Sequence, residues 1–188
     1  MSPELRSLPS RRQAVLTFGA LWSALAIPAG AAAQTLPAWA PKALTSDQAR
    51  ALEAAAELIM PATDTPGARE AGVPQFVDRA VAQYCEPSEA ALIRAGLDRM
   101  NADARAAHGA AFASLKPGQQ TALLAGYDAE AGRRSQGAPH FFATLKELVT
   151  VGYFTSEPGA MKALRYDPIP GDYRGCVPLS EIGRAWAL

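Results

Sequence analysis

Apolar residues recur at helical spacing along most of the chain, and proline and glycine mark the expected ends of each helix. The segment T-S-D-Q at 45–48 matches a capping box, because the Thr45 hydroxyl can accept from the Gln48 amide while the Gln48 side chain accepts in return. A first helix is therefore predicted from this box to about Met60. The segment 63–73, with Pro66, Gly67 and a further glycine, is predicted to be an ordered loop.

Four further helices follow the same punctuation. They are predicted to begin at Pro74, after Pro87, at Pro117 and at Pro139, and the third and fourth of the five helices should end near 107 and 132. We expect the stretch 133–137 to be a loop. The stripes predicted to be buried are Phe76, Ala80, Val81 and Tyr84 in the second helix; Leu92, Ile93, Leu97, Met100 and Ala104 in the third; Leu123, Leu124 and Tyr127 in the fourth; and Phe141, Phe142, Leu145, Leu148 and Val149 in the fifth, with Phe112 and Leu115 filling a link.

The C-terminal part of the chain differs in kind. From 155 onward four prolines and four glycines exclude a long regular helix, while residues 140–188 hold 7 of the 14 aromatic residues. Such a segment either packs over its own bundle or lies on another subunit, and aromatic and arginine residues are typical interface anchors. The candidate contacts are Tyr153, Phe154, Tyr166, Tyr173, Arg174 and Cys176.

Composition sharpens the fold class. The 188 residues suit one domain, and 49% hydrophobic against 19% charged residues is enough apolar material for a core. Alanine, the strongest helix former, occurs 41 times. We therefore predict an all-α fold, a compact bundle of about five to six helices with an irregular Pro/Gly/aromatic-rich C-terminal tail. A formal net charge of zero gives no electrostatic basis for binding nucleic acid.

The first 33 residues have the pattern of an export signal. Three arginines lie within the first 12 residues, and no charged side chain follows until Lys42. The apolar stretch 14–27 is shorter than the ~20 residues of a membrane-spanning helix. Ala31 and Ala33 offer the small side chains of a cleavage site, so the mature domain is predicted to run from 34 to 188. Arg11 and Arg12, within S-R-R-x-x-x-L, favour twin-arginine export over ordinary secretion.

Candidate chemistry within the chain is sparse. Nucleotide-binding and hydrolase motifs are absent from the sequence, and neither the two histidines (His108, His140) nor the two cysteines (Cys85, Cys176) have local metal-ligand spacing. No catalytic, cofactor-binding or metal-binding residue is therefore assigned. Twin-arginine export commonly carries proteins that are already loaded with a cofactor, which suggests that the cofactor belongs to a partner.

Three blocks carry a family resemblance. They are T-P-G-A-R-E-A-G-V-P at 65–74, L-K-E-L-V-T-V-G-Y-F-T-S-E-P-G at 145–159 and P-G-D-Y-R-G-C-V-P at 170–178. In this order they resemble the small subunit, or subunit 3, of gluconate 2-dehydrogenase and of related membrane-bound sugar and polyol dehydrogenases.

The resemblance implies an all-α subunit without catalytic residues. Its partner would be a large FAD-dependent dehydrogenase of the glucose-methanol-choline class that oxidises a sugar, polyol or sugar acid, usually with a membrane-bound multi-haem c-type cytochrome as third subunit. The small subunit would supply the export signal and assist maturation of the flavoprotein. The implied location is the periplasm, in peripheral association with the inner membrane.

Two alternatives remain open on the sequence. The chain could be a free-standing periplasmic ligand-binding protein, or an enzyme that uses carboxylates such as Asp64, Glu157 or Asp172. For the cysteines, an internal bond from Cys85 to Cys176 and a bond from Cys176 to the flavoprotein are equally compatible with the sequence.

Overall fold

The computed structural model describes residues 39–133, 139–169, 171–172 and 175–187. The helices in these ranges confirm the predicted all-α class with an irregular C-terminal tail. They are α1 (Ser46–Ile59), α2 (Val73–Gln83), α3 (Pro87–His108), α4 (Pro117–Gly132), α5 (Phe141–Phe154) and the short α6 (Leu179–Ile182), with a 3-10 turn at Phe112–Ser114 and a π-helical turn at Gly159–Ala163.

Local sequence signals set the ends of these helices. The capping box of α1 is confirmed, since the Gln48 amide donates to the Thr45 hydroxyl at 3.2 Å and the Gln48 side chain accepts from the Thr45 amide at 3.0 Å. Pro117 opens α4, as predicted, whereas α3 begins at Pro87 itself and not after it. Gly109 ends α3 with a φ of 74°, a left-handed conformation that suits glycine.

Helix α5 lies at the centre of the packing. It contacts each of the other four long helices and also the π-helical turn. Leu145 and Val149 on this helix are completely buried, and the ring of Phe141 occupies the space left by the missing side chain of Gly96 on α3. Its sequence is apolar on several sides, which is typical of a helix buried within a bundle.

Buried amides join α1 and α3 to the 3-10 turn. The Asn101 side chain donates to the carbonyl oxygen of Asp47 at 3.3 Å and accepts from the amide of Phe112 at 3.2 Å. The Gln120 side chain donates to the Phe112 carbonyl at 2.9 Å. Phe112 is fully buried, so these bonds satisfy backbone groups that water cannot reach.

The segment before α1 is held by one carboxylate. Asp78, on α2 and only 3% exposed, accepts backbone N–H groups from Lys42 at 2.8 Å, Ala43 at 2.9 Å and Leu44 at 3.1 Å. Three bonds to one charged acceptor fix the chain against α2 directly before it enters the bundle.

The predicted stripe of α2 is partly wrong. Tyr84, expected to be buried, is 77% exposed, because α2 ends at Gln83 and Tyr84 lies at its C-cap. Phe76 is half-buried against Gly152 of α5, whereas Val77 is completely buried. Ala80 and Val81 are buried as predicted, so the stripe is wrong only at its two ends.

Two predictions fall outside the described residues. The first is the export signal, with Arg11, Arg12, Ala31 and Ala33, and the second is most of the predicted loop at 133–137. Within the described ranges, no helix combines the length and hydropathy needed to cross a lipid bilayer.

Candidate functional site

The first two sequence blocks meet at the side chain of Tyr153. Its hydroxyl donates to the carbonyl oxygen of Pro66 at 2.8 Å, so its contact with the Thr65 hydroxyl at 3.1 Å uses the Thr65 proton. Tyr153 is 3% exposed. The expectation that Tyr153 contacts a partner is therefore corrected: this ring lies in the chain's own core and ties α5 to the loop before α2.

That loop depends on a close approach at Gly67. Glu57 of α1 accepts the backbone N–H groups of Ala62 at 3.3 Å and Arg69 at 2.9 Å. A Cβ atom on Gly67 would lie 2.2 Å from Glu57 Oε1 and 2.7 Å from the Ala62 nitrogen. Only glycine fits there, which explains the T-P-G sequence in physical terms.

A tight turn at Ser156 directs the chain away from α5. The Ser156 hydroxyl donates to the Tyr153 carbonyl at 2.6 Å and accepts from the Gly159 amide at 3.1 Å. A Cβ atom on Gly159 would lie 1.9 Å from the same carbonyl oxygen, so the glycine of the S-E-P-G sequence is needed for this path. The irregular C-terminal segment begins at this turn.

Exposed apolar side chains concentrate in this C-terminal part. Among the described residues, six large apolar side chains are exposed, and Tyr84 alone of these lies outside 151–186. Single exposed apolar residues are normal, but a concentration in one segment is typical of a contact surface. Four of these, Met161, Tyr166, Ile169 and Trp186, lie in the segment after Ser156, whereas Val151 lies on α5.

The other predicted contact residues have mixed placements. Tyr166 is 49% exposed, whereas Phe154 is half-buried and packs edge-on against Tyr153 with ring centroids 5.3 Å apart. Tyr173 and Arg174 lie outside the described residues. The segment is irregular, as the sequence predicts, and Tyr166 reaches solvent, while its contact with a partner stays a prediction.

The two cysteines are free and have different surroundings. Cys176 is exposed in the C-terminal segment. Cys85 is half-buried after α2, where burial, followed by the neighbouring Glu89 carboxylate, raises the pKa of its thiol. The structure therefore contains no bond between Cys85 and Cys176, and Cys176 is the more accessible thiol.

A polar cluster joins α3, α4 and the start of α5. Arg99 donates to both carboxylate oxygens of Glu130, at 3.2 and 2.9 Å, and lies 3.4 Å from Asp103. The Tyr127 hydroxyl donates to Asp103 at 2.6 Å. His140 Nε2 lies 3.6 Å from Glu130. The sequence did not reveal this cluster, because its members are spread over 41 positions, from Arg99 to His140, and follow no motif.

Electrostatic effects in this cluster have clear causes. The hydrogen bond from Arg99 holds the pKa of Glu130 below its ordinary value, and His140 lowers it further. Burial, and then the hydrogen bond to Asp103, raises the pKa of Tyr127. The Arg99 guanidinium also lies 5.2 Å from the centroid of the Tyr127 ring, within cation–π range.

His140 caps α5 and does not have the geometry of a metal ligand. Its Nδ1 accepts from the backbone N–H of Phe142 at 3.3 Å, so the neutral ring carries its proton on Nε2, which faces Glu130. A metal at Nε2 would need that proton to move to Nδ1, against another N–H group. In the ranges the structure describes, no group of three or more metal-ligating side chains forms.

The carboxylates considered for catalysis do not form a site. Asp64 accepts a hydrogen bond from the neighbouring Thr63 hydroxyl, and Glu157 and Asp172 are exposed.

Between α1, α4 and α5 lies an open cavity of about 240 Å³, lined mainly by apolar side chains such as Leu58 and Phe142. Ligand pockets usually enclose roughly 300–1,000 Å³, so this cavity does not favour the ligand-binding alternative.

The fold and its surface together define a class: a small helical domain in which the five buried polar residues of the described ranges each bond to the chain's own backbone, and in which most exposed large apolar residues belong to the C-terminal part. A family model described as gluconate 2-dehydrogenase subunit 3 matches residues 46–171, well over half of the chain. The chain belongs to this family. No curated protein and no solved structure matches the chain.

Proposed function

We propose that this chain is the non-catalytic small subunit of a periplasmic dehydrogenase complex. Its partner is an FAD-dependent dehydrogenase of the glucose-methanol-choline class that oxidises a sugar, polyol or sugar acid. The chain supplies a twin-arginine signal through Arg11 and Arg12 and assists maturation of the flavoprotein. Membership of the subunit 3 family is the single observation that carries this proposal.

The use of buried polar side chains supports an architectural role. In the described part of the chain, each buried polar side chain bonds to the chain's own backbone. Such side chains position helices and loops, whereas a catalytic group must aim at a space where substrate can enter. The five are Gln48, Asp78, Asn101, Gln120 and His140.

The C-terminal segment is the proposed contact with the flavoprotein. Tyr166, Tyr173, Arg174 and Cys176 are the proposed contact residues, with Phe154 at the edge of the surface. The exposure of Tyr166 and Cys176 supports this placement. FAD is held by the partner, and a third subunit, a membrane-bound multi-haem c-type cytochrome, holds the complex at the periplasmic face of the inner membrane.

The export role has a direct test. With the partner flavoprotein co-expressed, Arg11→Lys combined with Arg12→Lys should leave both proteins in the cytoplasmic fraction, because the paired arginines are what defines a twin-arginine signal. Arg6→Lys is the matched control, since Arg6 lies outside the S-R-R-x-x-x-L pattern. Cell fractionation with antibodies to both subunits is the measurement. If the double variant retains this chain but the flavoprotein still reaches the periplasm, the escort role is wrong.

A further inference from the structure

The last residues of the chain return to the residues that follow α5. The Arg165 amide donates to the Ala185 carbonyl at 2.8 Å, and the Ala187 amide donates to the Arg165 carbonyl at 2.8 Å. These two bonds form an isolated parallel bridge between Arg165 and Trp186. We call residues 183–187 the strap, because they close the chain between 166 and 182 into a loop.

Side chains from both of the joined segments reinforce the bridge. The Arg165 guanidinium lies 4.3 Å from the centroid of the Trp186 ring and donates to the Ile182 carbonyl at 3.2 Å. From the other side, Arg184 donates to the Lys162 carbonyl. A guanidinium over an indole ring is a favourable cation–π pair. Arg165 therefore contacts the strap through its amide, its carbonyl and its side chain.

The chain enters the strap through a left-handed glycine. Gly183 follows α6 directly and has a φ of 81°, which other residues adopt only with strain. This position after a helix is where such a glycine reverses the chain direction. The sequence I-G-R-A-W-A at 182–187 thus contains both the turn and the residues that fasten it.

The loop that the strap closes contains exposed side chains. Tyr166, Ile169 (84% exposed) and Cys176 belong to it. An irregular segment loses conformational entropy when a partner fixes it, and this loss weakens binding. The loss on binding is smaller when the fold has already ordered the ends of the segment. A bridge between residues 165 and 186 ties both ends of the loop before any partner arrives.

We propose that the strap pre-orders the described residues of the loop, 166–169, 171–172 and 175–182, for contact with the flavoprotein subunit, with Arg165 and Trp186 as positioning residues. This step rests on the proposed function for the identity of the partner. The surface belongs to the same C-terminal segment as the proposed contact. The bridge joins Arg165, inside the matched family region, to residues beyond its end at 171.

Two variants remove the strap by different routes. Trp186→Ala deletes the ring under the guanidinium, and Ala187→Pro deletes the N–H that donates to the Arg165 carbonyl. Matched controls are Trp186→Phe, which keeps an aromatic face, Ala187→Ser, which keeps the N–H, and Tyr84→Ala, which removes an exposed aromatic residue outside the C-terminal segment.

Hydrogen exchange on the full chain gives the first readout. Both strap variants should speed exchange of loop amides about tenfold, while amides of α3 and α5 stay within about twofold of the parent. Unchanged loop exchange in both variants would overturn the strap. Faster exchange throughout α3 and α5 as well would also overturn it, because the contacts would then support the bundle and not the loop alone.

Co-purification with the flavoprotein gives the second readout. The strap variants should retain about tenfold less flavoprotein than the parent, and the three controls should retain nearly as much as the parent. Opened loops with unchanged retention would overturn the pre-ordering role while leaving the subunit function intact. If the parent chain itself retains no flavoprotein, the proposed function is wrong, and so is the proposal about partner contact. The hydrogen-exchange result still decides whether the strap orders the loop.

Discussion

Replacing the buried carboxylate of Asp78 should loosen the entry of the chain into its bundle. Asp78 Oδ2 accepts from Lys42, and Oδ1 accepts from both Ala43 and Leu44. In Asp78→Asn one oxygen becomes an NH2 group of nearly the same size. Whichever way the amide is oriented, at least one backbone N–H then faces a donor in place of an acceptor.

The cost follows from these bonds. Losing one hydrogen bond to a charged group costs about 1.5–3 kcal/mol, and the remaining bonds weaken when their acceptor loses its charge. We therefore expect Asp78→Asn to lower the free energy of unfolding by about 3 kcal/mol. For a chain of this length such a change lowers Tm by roughly 6–12 °C.

Urea denaturation of the mature chain, followed by circular dichroism, measures this change. The m-value should stay constant, because the variant alters stability and not the surface exposed on unfolding. Asp64→Asn is the control, since Asp64 is exposed and bonds to a neighbouring hydroxyl, and it should change stability by less than about 0.5 kcal/mol. A loss below about 1 kcal/mol in Asp78→Asn would refute the reasoning that this carboxylate fixes the segment.

Four further predictions concern the bundle and its thiols. Burial and the hydrogen bond to Asp103 raise the pKa of Tyr127. The stability of the parent should therefore fall as pH rises above about 10, where tyrosine in the unfolded chain ionises. The fall should be shallower in Tyr127→Phe, and urea midpoints measured from pH 8 to 11 test this. In the free chain, Cys176 should react with iodoacetamide faster than Cys85, and mass spectrometry should find equal rates if the burial argument is wrong. If Cys176 bonds to the flavoprotein, a high-mass band on non-reducing electrophoresis should vanish in Cys176→Ser and persist in Cys85→Ser. Gly96→Ala should destabilise the bundle by about 1–3 kcal/mol, because the new Cβ would lie 2.1 Å from an aromatic ring of α5, and an unchanged thermal midpoint would contradict this.

Local signals predicted the helices, because their causes are local. A capping box, four prolines and apolar periodicity each act within a few residues, so the five long helices begin close to the predicted positions, and α1, α3 and α4 also end close to them. The exposed Tyr84 was misplaced since helical spacing extended one residue beyond the true end of α2. Periodicity does not record where a helix stops.

The sequence did not predict the long-range polar contacts, because their partners lie far apart along the chain. Asp78 bonds to residues 34–36 positions earlier, and Tyr153 to a loop 87–88 positions earlier. One signal was available: Asp78 is four residues after Pro74 and three before Val81, so a carboxylate lies on the buried face of a short helix. A charge at such a position needs partners within the protein, although the sequence does not say which.

The central position of α5 also sets the order in which this protein can be completed. Helix α1 begins 95 residues before α5, and α5 supplies the surface that contacts all the other long helices. At 5–20 residues per second, α1 would wait about 5–20 s on the ribosome before α5 exists. Until then the apolar faces of the four earlier long helices, α1 to α4, have only one another to pack against. The core of this chain therefore closes late in its synthesis, and any partner that depends on the closed core must wait for it.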